Sequence, residues 1–219
     1  MREVLARSPQ EDVSLVRLLA DEEERDRLLD HEALYEAVIS HTGCLRVTPA
    51  LYFYVVTRRV LTQAGLRERA LSDYVAAVLE AFCQTRQLAA PGQARPGRGN
   101  YLYVSEMLER LQHAAPRQRF QLRLHLGNYT LFFCGLFAER VRSQAQRRGA
   151  PGLSFYEGVG RASYHSASLD PFARGSELAG VVEHVAREFL LIRRALNHLA
   201  DSLLHWEAPP AILIREPQP

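Results

Sequence analysis

Apolar residues recur at intervals of three and four positions along most of the chain, the spacing that places side chains on one face of an α-helix. The clearest such segment is the last one, residues 177–206, where Ser176 stands at the expected N-cap. The pattern lacks the strict alternation typical of β-strands and therefore predicts an all-α protein. The apolar stripe of the last predicted helix comprises Leu178, Val181, Val182, Val185, Phe189, Ile192, Leu196, Leu199 and Leu203.

Caps and helix-breaking residues indicate where the predicted helices begin and end. We expect Asp30 and Thr48 to cap helices and Gly65 to follow the end of one. Gly127 and Gly135 lie inside the longest predicted helix, where they indicate a kink, a break or the close approach of another helix. The prediction is a bundle of about seven or eight helices, over residues 8–20 with a charged continuation from Asp21, then 33–40, 49–64, 72–88, 101–113, 116–148, 155–168 and 177–206.

One segment interrupts the helical pattern. Residues 89–100, AAPGQARPGRGN, are rich in Gly, Pro and Arg, which is typical of a linker between domains or of a long surface loop. The helices on each side are too few to bury their apolar faces separately, which favours a surface loop within a single domain over residues 1–219. The tail, residues 207–219, is expected to dock in part through Ile212, Leu213 and Ile214 and to end in disordered prolines.

The composition is that of a folded protein, because the hydrophobic fraction of 47% and the charged fraction of 24% are near the averages for globular chains. The 27 basic and 25 acidic residues nearly cancel, so no overall field holds the chain on nucleic acid or on an anionic membrane. Every basic residue is arginine, and the absence of lysine excludes mechanisms that need a Schiff-base or P-loop lysine.

The three cysteines, Cys44, Cys83 and Cys134, are odd in number and have no CxxC spacing, so neither a disulfide framework nor a cysteine zinc site is indicated. The N-terminal residues do not resemble a signal peptide, and polar residues interrupt the most apolar window, residues 126–141. We therefore expect a cytoplasmic protein that does not span a membrane.

The main candidate site is a polar pocket between helices. Asn128 lies in a strongly apolar helix, where a buried amide needs a hydrogen-bonding partner. It either holds a ligand or satisfies the backbone near Gly127, and the second role is favoured. Together with Tyr164, Asn197 and Asp201 it forms the predicted ligand-binding group.

Two weaker sites are indicated on helix surfaces. His198, Asp201 and His205 share one stripe of the last helix, and either His/Asp pair is a candidate for metal binding, although a hydrogen-bonded polar edge is favoured. The Glu-x-x-His motif of di-iron bundles is missing. Arg161 and His165, four residues apart, are a candidate anion site with Arg147 or Arg148, although a solvated helix face that needs no ligand is favoured.

Residues 61–79 have the spacing of a helix-turn-helix, with Gly65 in the turn. A small residue is expected four positions before that glycine, where this chain has Leu61. Asp73 would also face phosphate near the start of the second helix. A DNA-binding function is therefore disfavoured.

Several short segments resemble a group of bacterial proteins that have no assigned function. The resemblance covers about residues 50–204, and it implies a helical fold and a bacterial source without implying an activity. The group usually has proline after Gly-Leu-Phe, where this chain has Ala138, which predicts a less interrupted helix. The matching residues are Asp73-Tyr74-Val75-Ala76, Leu126-Gly127-Asn128-Tyr129, Gly135-Leu136-Phe137, Tyr156, Gly160, Tyr164, Ala195-Leu196-Asn197 and Asp201.

The chain has no nucleophile elbow, zincin motif, nucleotide fingerprint or kinase signature, and the residues leave open whether it is an enzyme. We expect a helical interaction or regulatory module that binds a protein partner or itself, without a cofactor. The alternatives are a small-ligand binder or enzyme with a polar pocket and, less favoured, the helix-turn-helix protein.

Overall fold

The computed structural model describes residues 21–40, 48–83 and 100–204. The first predicted helix at 8–20, residues 89–99 of the predicted loop, His205 and the tail at 207–219 lie outside the described residues. Asn100, the last residue of the predicted loop, is the first residue of a helix.

The described residues form nine α-helices and no strand, which confirms the all-α prediction. No helix among them is long and apolar enough to cross a bilayer. The helices are α1 (Glu22–Leu29), α2 (Glu32–Ser40), α3 (Pro49–Gln63), α4 (Arg69–Cys83), α5 (Asn100–His113), α6 (Pro116–Leu136), α7 (Ala138–Arg148), α8 (Leu153–Ser168) and α9 (Glu177–Leu204).

Helix α3 has the ends that its sequence predicts. Thr48 Oγ1 accepts a hydrogen bond from the backbone N–H of Leu51 at 3.3 Å, and Pro49 occupies the first helical position. Gly65 follows the C-cap with a φ of 89°, a left-handed conformation that glycine adopts at little cost. The prediction from these residues is confirmed.

The start of α2 differs from the prediction. Asp30 ends α1 instead of capping α2, and its carboxylate binds Arg58 on α3. His31 replaces it at the start of α2, where its Nδ1 accepts a hydrogen bond from the backbone N–H of Ala33 at 3.1 Å. The Asp30 carboxylate, which the local sequence predicts as the cap of α2, therefore binds a guanidinium that is distant in the sequence.

The helix predicted over 116–148 is broken after Leu136, although Ala138 stands where the resembling proteins have proline. Phe137 has a φ of −121° and a ψ of 34°, outside the helical region. The Asn197 amide donates to the carbonyls of Cys134 and Gly135, which in an unbroken helix would accept from residues 138 and 139. This bond from α9 satisfies the end of α6 and accounts for the break.

The core lies among α6, α8 and α9, while α3 and α4 pack as a pair beside α9 and α5 packs on α6. Two glycines allow α6 and α8 to cross closely. A Cβ added at Gly127 would lie 2.8 Å from the Tyr164 ring, and one added at Gly160 would lie 2.5 Å from both Phe189 and Thr130. Gly127 therefore serves close approach, and α6 continues through it.

Candidate functional site

Asn128 joins three helices at the centre of the bundle. Its Oδ1 accepts hydrogen bonds from the hydroxyl of Tyr74 on α4, at 2.8 Å, and from the hydroxyl of Tyr164 on α8, at 2.7 Å. Tyr164 is fully buried, and its ring meets that of Tyr74 edge to face with 6.1 Å between centroids. The structure thus brings two of the predicted site residues, Asn128 and Tyr164, into direct contact.

The hydroxyls of this cluster are donors at neutral pH. Burial raises the pKa of Tyr164 well above its ordinary value, and burial also raises that of Tyr74 despite its hydrogen bonds to Tyr164 and Asn128. Neither group acts as a general base near neutrality. The Asn128 carbonyl already accepts two hydrogen bonds, which is the capacity of its two lone pairs. The Asn128 oxygen is thus satisfied within the bundle, where it links α4 and α8 to α6.

Asn197 lies in a separate cluster at the break between α6 and α7. Its Nδ2 donates to the Cys134 carbonyl at 2.9 Å and to the Gly135 carbonyl, while its Oδ1 accepts from Arg193 Nη1 at 2.5 Å. Cys134 follows Asn128 by six residues on α6, which is about 9 Å along a helix axis. The four predicted pocket residues therefore fall into two clusters.

A pocket of about 210 Å³ lies beside the second cluster. Asn197 and Asp201 line it from α9, and Phe137, Arg140 and Arg142 line it from the start of α7. Arg142 pairs with Glu139 on its own helix. Charges of both signs thus surround the pocket, and the Asn197 side chain that it contacts is held by internal hydrogen bonds.

A buried arginine, Arg193, and a partly buried glutamate, Glu157, support Asn197. Arg193 lies one turn before it on α9, and Arg193 Nε is 2.9 Å from Glu157 Oε1 on α8. The Arg193 side chain is buried, and a charge in that position needs a partner of opposite sign. Sequence reasoning missed Arg193, Glu157 and also Tyr74. The i,i+4 spacing of Arg193 and Asn197 was an available signal for the first of these.

Arg161 and His165 line an open groove of about 470 Å³ between α8 and α9. Both side chains are exposed, and Arg187 and Glu183 line the same groove from α9. Arg147 and Arg148 lie at the end of α7 and are not among its lining residues. The groove carries both signs of charge, so its electrostatics do not single out an anion.

The metal candidates are incompletely described. His198 and Asp201 are exposed on α9, whereas His205 lies outside the described residues. Within residues 21–40, 48–83 and 100–204, no group of three His, Cys, Asp or Glu side chains is placed to hold a metal ion.

Burial favours the neutral forms of two thiols, Cys83 and Cys134, and of the His125 imidazole. Burial raises the pKa of the Cys83 thiol to about 11 and that of Cys134 to about 12, so neither is a thiolate at neutral pH. Burial lowers the pKa of His125 to about 4, with a further contribution from Arg110. His125 Nε2 lies 2.8 Å from the Tyr103 hydroxyl and joins α6 to α5. These groups favour a packing role.

The loop between α8 and α9, residues 169–175, presents apolar side chains to solvent. Leu169 is 59% exposed and Phe172 is 53% exposed, although the Phe172 ring also meets Phe120 of α6 with 6.2 Å between centroids. Asp170, between them in the chain, is buried and pairs with Arg123 at 3.2 Å. We call residues 169–175 the apolar loop.

Hydrogen bonds brace the backbone of the apolar loop. The Asp170 carboxylate accepts from the backbone N–H of Phe172 at 3.2 Å, and its carbonyl accepts from that of Ala173 at 2.9 Å. Ser176, predicted as the cap of α9, donates its hydroxyl to the Ala173 carbonyl at 2.6 Å. Gly175 completes the turn with a φ of 78°.

Comparison of the chain with protein-family models, with curated proteins and with solved structures found no match in any of the three. The bacterial source and the cytoplasmic location stay predictions from the sequence.

Proposed function

We propose that the protein is a helical interaction module and that the apolar loop is its binding surface. The observation that carries this proposal is the exposure of Leu169 and Phe172 on backbone that the buried Asp170 holds in place. Exposed apolar side chains grouped in one loop are candidates for a contact site. A loop that is already ordered loses little conformational entropy when a partner binds.

A ligand pocket built on Asn128 and Asn197 has less support. Such a site needs polar groups that converge on a shared cavity and have hydrogen-bonding capacity left for a ligand. The Asn128 carbonyl is saturated by two tyrosine hydroxyls, and the Asn197 amide is bonded to the end of α6. The two clusters also lie about two helical turns apart.

DNA binding through α3 and α4 has less support as well. In a helix-turn-helix the exposed face of the second helix reads the bases and needs neutral or positive groups. Asp73 is exposed on α4, and Glu80 is partly exposed two turns later. These carboxylates would repel the phosphate backbone.

The partner is another protein or a second copy of the chain, and native mass spectrometry of the protein purified from its own host tests for both. We expect the wild type to retain a protein partner or a second copy, and the L169S/F172S variant to lose it. The matched control is L190S, which replaces another exposed apolar residue, on α9. We expect L190S to behave as the wild type.

Elemental analysis of the same samples addresses the alternative function. A stoichiometric metal or small molecule on a protein that carries no partner would contradict the interaction module and favour a ligand-binding function. Equal loss of the partner in L190S and in L169S/F172S would place the contact elsewhere.

A further inference from the structure

Arginines lie beside the apolar loop. The Phe172 ring meets the Phe120 ring of α6 with 6.2 Å between centroids, which places the start of α6 next to the loop. Arg117 lies three residues before Phe120 and so on the same face of α6. Arg174 follows Phe172 by two residues within the loop. Both arginines are exposed, so the exposed apolar side chains of the loop lie near two guanidinium groups.

Few carboxylates oppose these positive charges. Helix α6 contains no Asp or Glu, and Asp170 is the one acidic residue of the apolar loop. Asp170 is buried and pairs with Arg123, so its charge is already balanced. Within residues 21–40, 48–83 and 100–204, neither Arg117 nor Arg174 forms an ion pair. The surface formed by the apolar loop and the start of α6 therefore carries two positive charges that the described residues do not balance.

A partner that covers Leu169 and Phe172 also removes water from the two neighbouring arginines. A guanidinium that loses water without gaining a group of opposite charge costs free energy. Carboxylates opposite the arginines would replace that water with charge-assisted hydrogen bonds and would speed the encounter of the two proteins. The chemistry of this surface therefore favours a partner that presents apolar side chains beside carboxylates.

We propose, on the basis of the function proposed above, that the partner of the apolar loop is a different protein whose contact surface has apolar residues bordered by Asp or Glu. Leu169 and Phe172 bury apolar surface against this partner. Arg117 and Arg174 bind its carboxylates at the edge of the contact.

The charges disfavour a second copy of the chain as this partner. Two copies that met through the apolar loop about a two-fold axis would present the same surface to each other. Arg117 and Arg174 of one copy would then lie near those of the other, and like charges in an interface are unfavourable. Glu177 is exposed just after the loop, in the first turn of α9, where the helix N-terminus already stabilises its charge. One carboxylate in each copy does not balance two guanidinium groups.

An anionic membrane has less support than an acidic protein. Recognition of such a membrane through charge takes a cluster of about four to eight Lys or Arg side chains. Two further arginines at the start of α6 are engaged within the chain. Arg119 donates to the Ala114 carbonyl at 3.0 Å. Arg123 pairs with Asp170. The part of this surface that the structure describes therefore offers too few free guanidinium groups for a membrane.

The chain contains no lysine, which allows a site-specific test. In R174K, a carbodiimide joins the new amine to any carboxylate that contacts it, and the α-amino group is the only other amine of the chain. We expect the folded R174K chain to be joined to an Asp or Glu of the same protein that native mass spectrometry finds on the wild type. The matched control is R148K, which makes the same change at an exposed position at the end of α7 and should give no such product.

A double-mutant cycle with the purified partner measures the contact itself. The partner variant replaces the joined Asp by Asn, or the joined Glu by Gln. We expect R174Q and the partner variant each to weaken binding about threefold to fivefold at low salt, and the two together to weaken it little further. High salt should reduce these differences. R148Q should bind as the wild type does.

The outcomes separate failure of this proposal from failure of the interaction module. A partner that is lost in L169S/F172S but kept equally by the wild type and R117Q/R174Q would overturn the acidic partner and leave the interaction module in place. Joining of R174K to a second copy alone would also overturn the proposal. Sedimentation of the wild type with vesicles of phosphatidylcholine and phosphatidylglycerol, lost in both double variants, would identify an anionic membrane instead. A wild type that retains no partner at all would refute the proposed function and the acidic partner together.

Discussion

Replacement of Asn128 by alanine is expected to destabilise the bundle by about 1–3 kcal/mol. The change removes the one acceptor shared by the hydroxyls of Tyr74 and Tyr164. The two hydroxyls also bond each other, so the change leaves one of the two donors without an acceptor. A buried hydroxyl left without a partner costs about 1–3 kcal/mol.

Urea unfolding followed by far-ultraviolet circular dichroism measures this loss, with the free energy of unfolding taken by linear extrapolation. Q146A is the control, since it removes an exposed amide from α7 and should change stability by less than about 0.5 kcal/mol. The triple variant N128L/Y74F/Y164F should recover much of the loss, because it removes the donors together with the acceptor.

The structural role assigned to Asn128 fails if N128A is as stable as Q146A. That outcome would mean that the two hydroxyls find other partners readily, and it would free the Asn128 amide for a ligand. A triple variant less stable than N128A would point to packing of the tyrosine hydroxyls as the larger contribution.

Two further predictions concern the core. His125 has a folded pKa of about 4, below its ordinary 6.5, so acidification through this window should lower stability by up to about 3 kcal/mol, as the unfolded chain binds the proton first. Urea midpoints across this pH range should fall less steeply in H125Q, and equal slopes would contradict the assignment. G160A should cost about 1–3 kcal/mol, because its Cβ would collide with Phe189 and Thr130. G158A is the control, two residues away with open space at its Cβ, and it should instead stabilise α8 by up to about 1 kcal/mol. Thermal unfolding measures both variants, and a change in stability of the same sign in G160A and G158A would refute this packing.

The sequence predicts those parts of the fold that depend on neighbouring residues. The cap at Thr48 and the end of α3 at Gly65 are set within a few residues, so a local pattern identifies them. Asp30 has the same local signal as Thr48, yet its carboxylate binds Arg58, which is 28 residues away. A bidentate guanidinium is a stronger partner than a backbone N–H, and only the folded chain brings it near.

In the candidate site, too, the sequence indicates what depends on neighbouring residues and does not indicate the distant partners. The apolar segment around Asn128 indicates that its side chain needs a buried partner. The sequence does not indicate that this partner is Tyr74, which is 54 residues away. The break after Leu136 depends on Asn197, which is 62 residues from the Gly135 carbonyl. No local pattern in α6 records that bond. The exposure of Phe172 likewise results from how α8, α9 and the start of α6 meet.

Photocrosslinking in the host cell tests the interaction module most directly. The photoreactive residue p-benzoylphenylalanine replaces Phe172 in the apolar loop or, as the control, Leu190 on α9. We expect irradiation to join position 172 to a partner protein or to a second copy of the chain, identified by mass spectrometry, and position 190 to give no such product. A folded protein that forms no protein adduct from position 172 would contradict the proposed function.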